Sequence, residues 1–92
     1  KLYYKMGQYE ASIAVFNNLL KDFPDTHYKE EILVYILRSY YHYALKSVSH
    51  MQDERLQSAI DSYNELTFQF PDTEYMKEVD NMRNNVLKRL ND

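Results

Sequence analysis

Apolar residues recur every three or four positions along almost the whole chain, which is the spacing of helices that pack on one side. Tyr9, Ile13, Phe16, Leu19, Leu20 and Phe23 make one such stripe. Pro24 disfavours helix at the residue before it and cannot continue the ladder, so this helix is expected to stop at Phe23. Asp25 or Thr26 is placed to cap the next helix. That helix carries Tyr28, Ile32, Tyr35, Ile36, Tyr40, Tyr43 and Ala44, while Leu33, Val34 and Leu37 widen its apolar surface beyond one face. A helix apolar on two sides is expected to be packed on two sides. Residues 47–54 are polar and predict a loop. Leu56, Ala59, Ile60, Tyr63, Leu66 and Phe70 define a further helix, stopped by Pro71. In the last helix Tyr75, Val79, Met82, Val86 and Leu90 form one narrow stripe, with polar residues over the rest. That is the pattern of a terminal capping helix, and the stack is expected to end near Asp92. Ahead of Gly7, residues Leu2, Tyr3 and Met6 read as the last turns of an earlier helix, with Gly7 taking positive φ after the helix end. The expectation is all-α: about five helices and no strand, since one Gly and two Pro leave little room for hairpins.

One phrase occurs twice. Phe23-Pro24-Asp25-Thr26-His27-Tyr28 returns as Phe70-Pro71-Asp72-Thr73-Glu74-Tyr75, 47 positions later. Ile13, Asn17, Leu19 and Glu31 recur in the same register as Ile60, Asn64, Leu66 and Glu78, giving nine identities over 24 residues. A repeat of this length predicts stacked helical units within a single domain: 1–24 the end of one unit, 25–71 the next, 72–92 the capping helix.

The stretch Tyr3-Tyr4-Lys5-Met6-Gly7-Gln8-Tyr9 through Phe16 to Pro24 resembles the second half of a tetratricopeptide (TPR) repeat. There an aromatic ends the first helix, Gly and Tyr turn the chain, and a small residue (Ser12, and Ala59 in the second unit) lets the helices approach. A ring (Phe16, Tyr63) fills the core and Pro ends the unit. The resemblance implies a right-handed stack of helical hairpins. The period is about 13 residues longer than the usual ~34, and the excess lies between the helices of the second unit. The long helix ending Ser39-Tyr40-Tyr41-His42-Tyr43-Ala44-Leu45-Lys46-Ser47, a polar insert at 48–55, and then Ala59-Ile60-Asp61-Ser62-Tyr63 together resemble the BamD family of outer-membrane-assembly lipoproteins, over essentially the whole chain. That resemblance implies a protein-interaction scaffold on the periplasmic face of the bacterial outer membrane. Its expected partners are the periplasmic domains of the barrel-bearing subunit BamA and accessory lipoproteins. It also implies a lipidated Cys as anchor. This chain has no Cys, so the anchor is expected upstream of Lys1, and the chain reads as a piece of a longer protein.

Composition narrows the chemistry further. A net charge of −3 with both signs interspersed gives no basic footprint for nucleic acid. No apolar run approaches the ~20 residues that span a bilayer. With a single Gly there is no phosphate-cradling loop, and zero Cys removes thiolate metal sites and Cys nucleophiles. His50 and Glu54 stand four apart, the spacing of a two-ligand metal seat, but two ligands on a polar stretch read more simply as solvated side chains. The serines have no nucleophile turn around them. The chain therefore reads as non-enzymatic, with no cofactor and no metal.

Ten tyrosines are the unusual entry. In a TPR-like stack the first helix of each pair lines the concave surface. Counting from the repeat, Tyr28, Glu31, Tyr35, Arg38, Ser39 and His42 fall on that side and form the candidate partner-binding residues, with Leu33, Val34, Leu37 and Ala44 toward the core. One reading makes the tyrosines helix–helix filler with their hydroxyls at the rim. The other makes them an aromatic groove floor with Arg38 as its polar anchor, since Tyr and Arg carry much of the energy of protein interfaces. A third possibility is a generic TPR adaptor that takes an extended peptide or a C-terminal carboxylate. That needs cations converging in the groove, and besides Arg38 only Lys1, Lys5 and Lys46 are placed to help.

Overall fold

The computed structural model describes residues 6–47 and 49–91. Four helices fill them: α1 Met6–Asp22, α2 Lys29–Leu45, α3 Ser49–Gln69 and α4 Met76–Asn91. No strand occurs among the described residues. Each helix packs on the next, and α2 also touches α4. The directions follow from the side-chain pairs. Phe16 meets Tyr35 while Tyr9 meets His42, so α1 and α2 run antiparallel. Arg38 meets Glu78 while Tyr41 meets Asn85, so α2 and α4 run parallel.

The two Phe-Pro turns are built alike. Phe23 N–H donates to Leu19 O at 2.8 Å, and Thr26 N–H to Phe23 O at 3.2 Å. Lys29 N–H then donates to Thr26 O at 3.3 Å, and Tyr28 N–H to the Thr26 hydroxyl at 3.2 Å. Every one of these bonds recurs 47 residues on, from Phe70, Thr73, Met76 and Tyr75. Proline cannot donate, so the chain leaves the helix there and the threonine hydroxyl closes the turn instead. The expected cap is thus a turn bond: Thr26 serves Tyr28, and Tyr28 itself precedes α2 with no side-chain cap bond.

The core forms around α2. Leu33, Val34, Leu37 and Ala44 are buried with Leu56, Ala59 and Leu66 of α3 and with Val79, Met82 and Val86 of α4. A smaller cluster joins Tyr9 and Ile13 of α1 to Tyr43. As the two-sided apolar pattern required, α2 is covered from both sides, and α4 shows one buried face with a polar remainder.

Three expectations need correction. Gly7 ends no helix. It lies inside α1, and no described residue takes a positive φ. The helix expected ahead of it falls largely on residues 1–5, outside the described residues. Secondly, the polar insert is not a loop, because α3 begins at Ser49 and runs through it. Contacts back to the end of α2 hold this extension in place. Gln52 Nε2 donates to Ala44 O at 3.1 Å, near the end of α2, where Ser47 N–H also donates at 3.2 Å. The Arg55 guanidinium donates to Ser47 Oγ at 2.8 Å and sits 4.1 Å from the centre of the Tyr43 ring. Thirdly, the apolar stripe that runs from Tyr9 to Phe23 is not covered along its whole length, and its last residue is not enclosed as its repeat counterpart is. Phe70 packs against the main core, whereas Phe23 is 60% exposed.

Candidate functional site

Among the described residues no group of three or more His, Asp or Glu could hold a metal ion. His50 and Glu54 both lie exposed on α3. No helix is long and apolar enough to cross a membrane among those residues. What the surface offers is aromatic. Phe23, Tyr28 and Tyr35 are 60%, 68% and 47% exposed, and Leu19 is 37% exposed. All four border one hollow of about 480 Å³ between α1 and α2. A second hollow of about 360 Å³ adjoins it through Phe16 and Tyr35 and continues to Ser39 and His42. Phe16 and Tyr35 stack at 5.6 Å between centroids, so the shared wall is a pair of parallel rings.

The six residues singled out from the sequence thus lie along one side of the molecule, in two groups. Tyr28, Glu31 and Tyr35 border the first hollow. Arg38, Ser39 and His42 border the second, together with Tyr35. Leu33 and Leu37 are buried on the opposite face of α2, as the spacing demands. His42 lies with its ring stacked on Tyr9 at 6.0 Å and edge-on to Tyr41 at 5.3 Å. Burial pushes its pKa below the ordinary histidine value, helped by the positive charges of Lys46 and Arg38.

Arg38 is not the free anchor that the sequence suggested. Its Nε and Nη2 donate to the two carboxylate oxygens of Glu78 at 2.6 and 2.7 Å, a fork-to-fork pair joining α2 to α4. Its guanidinium carbon lies 5.5 Å from the centre of the Tyr35 ring and 5.8 Å from that of Tyr75. A cation between two rings and held by a carboxylate is a structural tie before it is a ligand for anything else. Those donated hydrogen bonds, and then the charge behind them, hold the Glu78 carboxyl below its usual pKa against the opposing effect of burial.

The sign of the resulting pH dependence follows directly. A carboxyl with a depressed folded pKa contributes stability that is complete above its unfolded value, ~4.3, and is lost as the pH falls through the folded one. Both partners are partly open to solvent, so the contribution is modest, about 1 kcal/mol. Urea unfolding of Glu78→Gln beside the parent chain at about pH 6 and about pH 3 checks it. The variant is expected to be weaker at the higher pH and to converge on the parent at the lower. A gap independent of pH would mean the pair does not form in solution.

Phe16, Leu19 and Phe23 border the first hollow, although the sequence placed them in an apolar stripe expected to pack. No local signal separates them from their counterparts Tyr63, Leu66 and Phe70, because the difference lies in what covers each set.

No known protein family matches this chain, and a comparison with curated proteins gives no match either.

Proposed function

We propose that the chain is a non-enzymatic protein-interaction scaffold whose helices stack in the TPR manner, and that it serves in the insertion of β-barrel proteins into the bacterial outer membrane. The observation that carries the scaffold reading is the continuous aromatic surface of α1 and α2. Four of the six exposed large hydrophobic side chains among the described residues surround one hollow, with Val15 and Phe68 exposed elsewhere. A concentrated patch of this kind marks a contact surface. The contact of α2 with both its sequence neighbours and with α4 supports TPR-like stacking. The outer-membrane role and the periplasmic location rest on the resemblance of the long α2, the insert and the second repeat to BamD-type lipoproteins. By that resemblance the partners are BamA periplasmic domains and accessory lipoproteins, and attachment to the membrane runs through a lipid anchor upstream of Lys1.

The generic adaptor for a C-terminal carboxylate draws less support. Arg38, its main cation, is already paired with Glu78, Lys46 is exposed at the end of α2, and Lys1 and Lys5 lie outside the described residues. Calorimetric titration of the purified chain with BamA periplasmic domains tests the proposal. Micromolar binding that weakens at least tenfold in Tyr35→Ala is the expected result. The absence of binding at hundreds of micromolar would overturn the outer-membrane role.

A further inference from the structure

The repeat gives two copies of one groove, and among the described residues only the second has a helix across it. In that copy the Phe-Pro-Asp-Thr turn and the start of α4 grip α2 at three points. The Thr73 hydroxyl donates to the Glu30 carboxylate, the Arg38 guanidinium lies over the Tyr75 ring, and Glu78 takes both forks of Arg38. Glu30 and Arg38 stand eight positions apart, about two turns, on one face of α2. Between them Val34 and Leu37 enter the same core as Leu66 and Val79, against which Phe70 packs.

Shift the receiving residues back by 47 and each has its counterpart: Thr26 for Thr73, Tyr28 for Tyr75, Glu31 for Glu78, Leu19 for Leu66, Phe23 for Phe70 and Ile32 for Val79. Five of these six are identical in type, and the turn that presents them has the same hydrogen bonds. Yet among the described residues the Glu31 side chain has no ion pair or hydrogen bond, Tyr28 has no cation over it, and Phe23 faces solvent, although Ile32 is buried. Among the described residues a receptor has been repeated without its occupant.

We propose that the groove between α1 and α2 docks an amphipathic helix from outside these 92 residues, one that carries Glu and Arg eight positions apart with branched apolar residues between them. The inference rests on the scaffold reading above and names the partner's chemistry. The arginine meets Glu31 and covers the Tyr28 ring, the glutamate meets the Thr26 hydroxyl, and the apolar stretch lies on Leu19 and Phe23. This is helix-in-groove recognition with a charge at each end to fix direction and register. A second copy of the chain does not supply it. The helix that would continue the stack is α4, and at the two charged positions it carries Lys77 and Asn85, with Asn85 already donating to the Tyr41 hydroxyl at 2.8 Å.

The probe is a fluorescent peptide with the sequence of residues 29–45, the segment that fills the second groove. Anisotropy is followed as the whole chain is added. Binding in the range of tens of micromolar is expected, weakened at least tenfold by Glu31→Arg in the chain or by Arg38→Glu in the peptide. When both reversals are combined, affinity should return to within about threefold of the parent pair. If Glu31→Arg changes nothing while Glu78→Arg abolishes binding, the peptide is replacing α2 in its own groove and the proposal falls. It also falls if the chain alone sediments as a dimer that Leu19→Lys dissociates, because a second copy then owns the surface. The barrel-assembly reading stands or falls separately, on the titration with BamA domains.

Discussion

Truncating Leu66 to Ala is expected to lower stability by about 3–5 kcal/mol, whereas the same truncation at Leu19 costs under ~1 kcal/mol. The two leucines are repeat counterparts on the same stripe of equivalent helices. Leu66 is 0% exposed in a cluster with Val34, Leu37 and Val79, while Leu19 is 37% exposed beside an open hollow. Removing a fully enclosed side chain forfeits its transfer energy and leaves a cavity; removing a half-open one leaves room that water already reaches. A domain of this size has roughly 5–10 kcal/mol in hand, so Leu66→Ala takes a large share of it and should move the melting temperature by 10 °C or more. Urea and thermal unfolding followed by circular dichroism read both variants. An equal loss at the two sites would mean that the first groove is covered in solution.

Enlarging Ala59 to Leu is expected to cost about 2–3 kcal/mol, near the top of the range for over-packing. Ala59 is buried in the main cluster with Leu33, Leu37 and Leu56, where α3 lies against α2. Three added carbons cannot be housed there without pushing those helices apart. Its counterpart in α1 is Ser12, which borders the second hollow, and Ser12→Leu should cost far less, under ~1 kcal/mol. Denaturant midpoints separate the two cases, and a tolerated Ala59→Leu would contradict the close approach of α2 and α3.

Much of the fold was written in period and punctuation. The two prolines place the ends of α1 and α3 to within a residue, and the apolar stripes pick out Val34, Leu37, Leu66 and Val79 as core. The repeat register, seen in side chains alone, reappears bond for bond in the two turns. What escaped depends on contacts between one helix and another. The polar insert has no apolar stripe, and the helix over its residues 49–55 is held by Gln52 reaching Ala44 and Arg55 reaching Ser47 and Tyr43. Gly7 looked like a helix end because glycine is the usual residue there, but a glycine inside a helix costs only about 1 kcal/mol and α1 carries it. Arg38 looked available because its partner lies 40 residues away. The open groove was illegible for the same reason: Phe23 and Phe70 sit in the same phrase, and their exposure is decided by whether a helix lies across them.

The most direct test is a crystal structure of the chain with the 29–45 peptide bound. The peptide is expected between α1 and α2, its arginine on the Glu31 carboxylate and over the Tyr28 ring, its glutamate at the Thr26 hydroxyl, with Leu19 and Phe23 covered. A peptide lodged between α2 and α4, or bound elsewhere with Phe23 and Tyr28 still facing solvent, would contradict the account.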